Sequence, residues 1–589
     1  MSKKFNLKIN GKFFEASEGE TILAVALKNG IDVPHLCKHR DLSTRANCRM
    51  CLVSINGQRG LQTACSTPVE DGMEVITESP EIKRARKFNL ELIFGEHVED
   101  CPDCVWNSRC DLLKYRKKYN SKIYRFVDRK ARRPIYDFGP IVFDQTKCID
   151  CRNCVEVCPT EYLEVVGRGA GIGIRPSPNK KKDCIACGQC VMHCPVGAIK
   201  TKGEYEVLAG LKKLLKQKKK MVVVQFAPAI RTSVGEELGL PLGAVATGKL
   251  VAGLRRLGFK KVFDTSVGAD FVTNEEAGEA VERVASGKNL PVFTSCCPSW
   301  VSFLEFNYPE FIKNITSARS PQVVLGGLLK TYWAKKANLK PADIFVVSIM
   351  PCSSKKYEVE RPEIKINDLK PVDMVLTTRE LARFFIWEKI NIVRLKSEAA
   401  DNPFGDPSGA GVIYGASGGV MESALRTAHF RMTGENPRPD AFSEVRGQQG
   451  LKRVVLKLCK RVGGCSEIKA AVANGIGNAR IILDELKKDP KKYDFVEVMA
   501  CPGGCVGGGG QSLPSNSVIR SQRAASLYEI DKSKKIRLAH ENPSVKKAYE
   551  EYFTTPEIRR KIFHTTFGKK GKRLISIRHR PLKDKAVVK

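Results

Sequence analysis

Two runs of cysteine constrain this chain before any other feature: Cys148, Cys151, Cys154 and Cys158-Pro159, then Cys184, Cys187, Cys190 and Cys194-Pro195. Each run is spaced C-x2-C-x2-C-x3-C-P. Three thiolates at two-residue gaps wrap one corner of an iron–sulfur cubane, and the fourth of each run reaches across to the other cluster. The spacing predicts one 4Fe-4S cluster on Cys148, Cys151, Cys154 and Cys194, and another on Cys184, Cys187, Cys190 and Cys158. Paired zinc knuckles are the alternative.

Fifteen of the 22 cysteines precede residue 195. The first thirty residues lack the apolar core and cleavage site of a signal peptide, and no apolar run reaches membrane-spanning length. We therefore expect a cytoplasmic, non-membrane protein, where clustered cysteines serve metal or redox chemistry more than disulfides. At 589 residues, 42% hydrophobic and 28% charged, the chain has room for three to five domains. Its formal charge of +35 predicts a basic surface that attracts acidic proteins, nucleic acid or anionic lipid without choosing among them.

The organisation is multidomain, α+β and α/β. Residues 1–78 open with KFNLKI and KFFEA around Asn10-Gly11, a hairpin signal, followed by the apolar-rich TILAVALKNG of a helix. Residues 79–137 are helical in pattern and basic toward their end, and 138–205 hold the paired cysteine runs. The region 206–567, which includes the lysine-rich LKKLLKQKKK near its start, alternates β-like runs (MVVVQFA, KVFD, DIFVVSIM) with helical stretches, which predicts an α/β domain with buried strands. Residues 568–589 read as a loosely held basic tail.

Further constellations flank the paired runs. Cys37, Cys48, Cys51 and Cys65 are spaced C-x10-C-x2-C-x13-C, and His97, Cys101, Cys104 and Cys110 are spaced H-x3-C-x2-C-x5-C. The first set suits a 2Fe-2S cluster or zinc. Cys296 and Cys297 lie in TSCCPSW, Cys352 in MPCSSKKYE, and Cys501 and Cys505 in EVMACPGGCVGGGGQ. Glycines around Cys505 would let backbone approach an inorganic group where a side chain would clash; alternatively that loop is merely flexible. Cys459 and Cys465 match no motif and read as isolated thiols.

The last three signatures, in this order, resemble the catalytic domain of the iron-only (FeFe) hydrogenases, and the N-terminal sets resemble accessory domains shared with the large iron–sulfur subunit of respiratory NADH dehydrogenase. The resemblance implies a β-grasp 2Fe-2S ferredoxin domain, a small 4Fe-4S domain with one histidine and three cysteine ligands, a two-4Fe-4S ferredoxin domain of bacterial type and a large α/β catalytic domain. The accessory groups would be one 2Fe-2S and three 4Fe-4S clusters. It further implies an H-cluster: a 4Fe-4S cubane on Cys297, Cys352, Cys501 and Cys505, bridged through Cys505 to a di-iron unit bearing carbonyl, cyanide and an amine-containing dithiolate. By the same resemblance Lys355 bonds a cyanide ligand, Ser320, Pro321 and Gln322 lie beside the di-iron unit, Met350 and Met499 pack over it, and Gly418 in YGASGGVME belongs to the site. The family motif usually ends GGGQP, whereas Gln511 is followed here by Ser512.

Glu276, Glu279 and Arg283 recur at i, i+3 and i+7, along one helical face. Locally, Thr273 to Glu276 fits a helix-capping box and Glu279 with Arg283 an i,i+4 surface pair. The resemblance assigns the three to a proton path with Cys296 and a hydroxyl residue, here Thr316 where serine is expected.

The implied activity is interconversion of H2 with protons and electrons. An electron-relay subunit like that of NADH dehydrogenase, or a hydrogen sensor, are the alternatives; a relay has no reason to keep the three C-terminal signatures together. Residues 112–133 carry ten basic residues against one acid, with tyrosines interleaved, a mixture that suits single-stranded nucleic acid. No RRM, KH or helix-turn-helix signature accompanies it, so docking of an acidic ferredoxin or a partner subunit is the better reading. GRGAGIGI at Gly167–Ile174 lacks the following helix and acid of a dinucleotide loop. Any NAD(P)H or flavin chemistry is therefore expected in partner subunits, beside a small iron–sulfur subunit.

Overall fold

The structure, a computed structural model, describes residues 3–95, 97, 104, 110–122, 126, 133–168, 171–217, 219–459 and 465–579. It divides into two units: residues 1–179, 193–200 and 574–589 form the first, and 180–192 with 201–573 the second.

In the first unit, Asn10 (φ 51°) and Gly11 (φ 80°) turn Lys4–Ile9 back onto Lys12–Ser17. Both positions are left-handed, as a two-residue turn between right-twisted strands requires. Lys4–Ile9 then pairs in parallel with Met73–Ile76, in a five-stranded sheet completed by Leu52–Ile55 and Gln62–Thr63. The helix Ile22–Lys28, capped by Thr21, buries Ile22, Val25 and Ala26 against Leu7, Ile9, Val53 and Val75, and Cys51 and Cys65 belong to this same core. The next helix, Pro80–Phe94, is started by the Ser79 cap and Pro80 at its first position. Its fully buried Arg86 donates to the Leu52 carbonyl at 2.7 Å and to the Tyr119 hydroxyl at 3.1 Å, tying that helix and Asp111–Tyr119 to the sheet.

The second unit holds two four-stranded sheets. In one, Lys261–Asp264, Met221–Phe226, Ile344–Met350 and Met374–Thr377 are all parallel. These are the apolar runs of the sequence, and they are buried because helices cover both faces of a parallel sheet. In the other, Val292–Phe293, Phe495–Met499 and Cys465–Asn474 run parallel, and Leu451–Cys459 closes the edge as an antiparallel hairpin. The hairpin register sets the backbone of Cys459 directly opposite that of Cys465.

Two local expectations are corrected. The helix bearing Glu276 runs from Thr265 to Ser286 with Asp264 as its cap, so Thr273 is an interior residue. Its hydroxyl bonds Tyr414 and Ser423 at 2.9 and 2.7 Å instead of capping anything. The C-terminal segment, expected to be loosely held, is anchored as far as it is described. Lys570 pairs with Glu363 and Arg573 bonds Ser302, while Ser576–Arg578 adds as an antiparallel strand to Ile135–Asp137. Cations that read as an unpartnered tail find acidic and hydroxyl partners far away in sequence.

Candidate active site

Ligand sites of open α/β sheets form where strands end at their carboxyl edge, and here three strand ends deliver the C-terminal cysteines. Phe293 is followed within four residues by Cys296 and Cys297, Met350 by Pro351-Cys352, and Met499 by Ala500-Cys501. Cys297 caps the helix Pro298–Asn307, and Cys505 starts a 3-10 turn after Gly503 and Gly504, both left-handed at φ 75° and 87°. Burial pushes the Cys352 and Cys505 thiols up to about 12. Cys501 is also raised by burial, and the charges of Cys352, Cys297 and Cys505 reinforce it. The four thiols therefore share one buried, electrostatically coupled volume.

The glycines of GGCVGGGG are steric necessities. A Cβ at Gly504 would stand 2.6 Å from Met499 Sδ; at Gly508, 2.2 Å from the Pro351 carbonyl oxygen; at Gly509, 2.1 Å from that of Cys187. The flexible-loop alternative fails on these contacts, because the loop is pressed against the backbone of two other cysteine segments. Ser512, standing where proline was expected, is buried and donates to the Ser233 carbonyl at 2.8 Å. Gln511 accepts from Ser233 and Thr378 and donates to the Cys505 carbonyl at 3.0 Å. The backbone beyond Cys505 is thus held by hydrogen bonds.

Beside the thiols, Lys355 is buried rather than solvated. Its ammonium donates to the Cys296 carbonyl at 2.9 Å and to Glu358 at 3.0 Å; burial opposes its charge, but Glu358 and the neighbouring thiols hold its pKa above the ordinary lysine value. Glu358 also accepts from Ser320 Oγ at 2.9 Å and Gln322 Nε2 at 2.6 Å. Sequence reasoning missed this carboxylate hub; its signal was the i,i+3 spacing from Lys355 within MPCSSKKYE. Pro321 opens the helix Pro321–Leu328 after the Ser320 cap. Met350 and Met499 are core residues at 3% and 2% exposure, and Gly418, at φ 85°, donates its N–H to the buried Glu497 at 2.7 Å.

The residues fit the metal group that this arrangement implies. A thiol-lined volume, a glycine cradle against it, and Gln322 Oε1, buried with no hydrogen-bond partner on a side chain that shares Glu358 with Lys355, are what an embedded polar inorganic group would complete. Among the described residues no three His, Cys, Asp or Glu side chains draw together tightly enough for a single ion.

Two carboxyl–hydroxyl pairs stand beyond this volume, one fully buried and one at a surface cavity. Thr316 Oγ1 donates to Glu276 Oε1 at 2.8 Å. Burial pushes Glu276 up to about 7, and its charge is among the causes that, after burial, raise the Cys296 thiol. Glu279 pairs with Arg283, whose guanidinium also donates to the carbonyls of Asn314 and Ile315 at 3.0 and 3.1 Å. The hydroxyl on Glu279 is Ser317, which donates at 2.9 Å from both N and Oγ. Sequence reasoning named Thr316 and missed its neighbour. Glu279, Arg283 and Ser317 line a cavity of about 930 Å³.

The accessory cysteines are also placed by backbone geometry. Asp150 (φ 51°) and Arg152 (φ 67°) around Cys151, and Ala186 (φ 55°) and Gly188 (φ 75°) around Cys187, are left-handed at matching positions, which is how a two-residue gap points successive thiols inward. Cys148, Cys151 and Cys194 perturb one another electrostatically, and Cys151, pushed up to about 12 chiefly by burial, also feels Cys37. In the Cys37 set, the Cys48 N–H donates to Cys37 Sγ at 3.5 Å and the Cys51 and Cys65 thiols shift one another, Cys51 upward and Cys65 downward, and its loop docks beside Cys151 through Asn47 Nδ2 on the Asp150 carbonyl at 2.9 Å. His97 Nδ1 meets the carbonyl of Lys147, next to Cys148, at 2.8 Å, a bond that orients the ring as ligating histidines are oriented. Cys101 lies outside the described residues; Cys104 and Cys110 are half-buried. Cys184, Cys187 and Cys190 belong to the second unit, and Cys154 and Cys158 to the first.

A buried thiol cage at the ends of parallel strands, with ferredoxin-type cysteine sets, defines an iron–sulfur redox enzyme. The family model for the C-terminal domain of the iron-only hydrogenase large subunit matches residues 220–509. A 2Fe-2S cluster binding domain matches 2–80, a 4Fe-4S dicluster domain 147–199, and the iron hydrogenase small subunit 517–570. The NADP-reducing hydrogenase subunit HndD of Solidesulfovibrio fructosivorans is 37% identical over 96% of this chain and 99% of its own length. Iron hydrogenase 1 of Clostridium pasteurianum is 36% identical over 93% and 96%. The solved apo FeFe-hydrogenase HydA1 of Chlamydomonas reinhardtii superposes with a TM-score of 0.56 at 37% identity, covering 62% of this chain and 99% of that one. The chain belongs to the iron-only (FeFe) hydrogenases: it is an oxidoreductase acting on H2, with iron–sulfur clusters and an H-cluster. Among the described residues no helix is long and apolar enough to cross a membrane.

Proposed function

We propose that the chain catalyses reversible H2 oxidation and proton reduction with Cys297, Cys352, Cys501 and Cys505 holding the H-cluster, and that Glu279, Ser317, Thr316, Glu276 and Cys296 move protons between it and the cavity at Arg283. The observation that carries this reading is a buried thiol cage beside two hydrogen-bonded carboxyl–hydroxyl pairs, Thr316 with Glu276 and Ser317 with Glu279, the charge of Glu276 reaching Cys296. When bound, the H-cluster supplies the H–H bond-breaking chemistry and accepts the electrons. The protein's own residues do the rest. Glu276, held near neutrality by burial, can take and give a proton near pH 7. The Cys296 thiol, kept protonated by burial and the Glu276 charge, is a proton donor toward the cage. Lys355, fixed by Glu358, presents a buried positive charge for anionic ligands, while Ser320 and Gln322 are oriented by the same carboxylate. Met350, Met499 and the glycines exclude water.

Electrons would leave through Cys187, whose backbone touches Gly509 and whose charge reaches Cys501. The accessory clusters are those on Cys148, Cys151, Cys154 and Cys194; on Cys184, Cys187, Cys190 and Cys158; on His97, Cys101, Cys104 and Cys110; and a 2Fe-2S cluster in the β-grasp domain on Cys37, Cys48, Cys51 and Cys65. The layout is 1–78, 79–137, 138–205, 206–567 and 568–589. A fully matured chain is then expected to carry about 20 iron atoms, with infrared bands of iron-bound carbonyl and cyanide after expression with maturation enzymes. Absence of those bands from an anaerobic, fully matured preparation would return the electron-relay reading.

The +35 charge supports an acidic ferredoxin as electron partner in the cytoplasm, and the likeness to a subunit named NADP-reducing supports flavin- or NAD(P)H-binding partner subunits. Electron transfer to an acidic ferredoxin should slow steeply as ionic strength rises, because screening removes electrostatic steering. Turnover with a small viologen should change far less. Equal salt sensitivity would remove the docking argument.

A further inference from the structure

The hydrogen bonds around Glu279 extend beyond Ser317. Ser317 Oγ, which donates to Glu279 Oε2 at 2.9 Å, also meets His564 Nδ1 at 2.8 Å. His564 Nε2 meets Glu275 Oε2 at 3.1 Å, and the Tyr549 hydroxyl donates to the other oxygen of Glu275. Four pieces of chain meet here: the helix Thr265–Ser286 carrying Glu275 and Glu279, the segment after Ile315, the helix Pro543–Glu551, and the end of the helix Pro556–Phe563, which His564 caps. The backbone fixes the ring's position: Arg319 Nε donates to the His564 carbonyl at 2.6 Å, and Thr565 N–H donates to the Ser317 carbonyl at 2.8 Å. The ring keeps 22% of its side-chain exposure and lines the 930 Å³ cavity with Arg283, Arg431 and Arg559.

We infer that His564 is a second proton-exchange residue at this entrance, loading and unloading Glu279 through the Ser317 hydroxyl, in parallel with direct exchange at Glu279 beside Arg283. This rests on the proton route through Glu279 and Glu276. The step balances without electrons. The imidazolium gives its Nδ1 proton to Ser317 Oγ as the Ser317 hydroxyl proton passes to Glu279 Oε2, and the neutral ring keeps its other proton on Nε2 toward Glu275. A hydronium or protonated buffer in the cavity reloads it; in H2 oxidation the sequence runs backward. Histidine is the side chain suited to such exchange around neutral pH.

Charged groups face the ring from several elements. Glu275 is pushed up by burial, yet the hydrogen bonds of His564 and Tyr549 and the charge of Arg559 leave it below the ordinary glutamate value, so it presents an anion to Nε2. Arg559 from the helix preceding His564, Arg431 from the helix Gly419–Thr433, and Arg283 beyond Glu279 supply opposing positive charge; Tyr549, raised by burial and Glu275, remains neutral.

The test uses the matured holoenzyme, with iron content and infrared bands checked in every variant, and viologen-driven H2 evolution measured across pH 6–9 with added imidazole or pyrazole. Pyrazole has nearly the shape of imidazole and is a far weaker base. His564→Ala is expected to lower turnover roughly tenfold, less than the 10²–10⁴-fold of a lost positioned acid because the entry beside Arg283 stays open. Imidazole should restore the rate and pyrazole should not. Wild-type turnover and pH profile in His564→Ala would overturn the inference, as would equal rescue by both heterocycles, which marks a space-filling role. Glu279→Gln separates the two readings: if it turns over normally, the proton route itself is wrong; if it is crippled while His564→Ala behaves as wild type, only the role of His564 falls.

Discussion

Replacing Cys297 by alanine is expected to abolish assembly of the H-cluster, whereas Cys296→Ala should leave the metal centre in place and cut turnover in both directions by roughly 10²–10⁴-fold, the usual contribution of a positioned proton donor. The two cysteines are neighbours in sequence and face different environments. Cys297 packs with Trp300, Phe303 and Cys187 on the core around the Phe495–Met499 strand. Cys296 packs on the core of the other sheet, its carbonyl held by Lys355. Extended backbone sends successive side chains to opposite sides, so one is expected to reach the cage and the other to face Glu276. Cys296→Ser should behave like alanine, because a hydroxyl is a much weaker acid than a thiol. Infrared spectra and H2 turnover of the three variants check this. Full turnover in Cys296→Ala, or loss of the infrared bands as complete as in Cys297→Ala, would refute the division of roles.

Glu276→Gln should have the second large effect. Glutamine keeps the acceptor for Thr316 Oγ1 and cannot carry a proton, so turnover is expected to fall by roughly 10²–10⁴-fold with the infrared signature intact. The same substitution should change how stability depends on pH. The folded state raises this carboxyl from 4.5 to about 7, so folding binds the proton more tightly than the unfolded chain does. Its contribution is therefore fully present below pH 4.5 and is lost progressively up to about pH 7, a difference of about 3 kcal/mol by the usual conversion. Wild type should lose stability between pH 5 and pH 8 relative to Glu276→Gln, measured as the shift in denaturation midpoint of the two holoproteins. Parallel pH slopes would contradict the buried, proton-holding carboxyl. An undiminished turnover would remove Glu276 from the proton route.

Much of this was legible in the chain. The hairpin at Asn10-Gly11 and the strands Met221–Phe226, Lys261–Asp264 and Ile344–Met350 were readable because positive φ at a two-residue turn and burial on both sheet faces leave plain residue signatures. The spacing of the cysteine sets was readable because short loops carry several thiols each, and the left-handed residues between them, such as Arg152 and Gly188, act within a few bonds. Where a local rule competed with packing it lost: Thr273 and Glu276 have the spacing of a capping box, but the helix starts nine residues earlier at Asp264, whose side chain satisfies the first turn.

What the sequence by itself determined is the inventory of the centre and its order along the chain: thiolate sets at fixed spacing, glycines next to Cys505, and carboxyls on one helix face. Only the tertiary structure decided which groups touch. Ser317 rather than Thr316 meets Glu279, Glu358 ties Lys355 to Ser320 and Gln322, and His564 closes on Ser317 across 247 residues. The physical reason is range. Ligand spacing and turn chemistry are fixed by backbone geometry within a dozen residues, whereas a hydrogen-bonded line is assembled from separate elements by the burial that packs them, and each link depends on a distance no local pattern encodes.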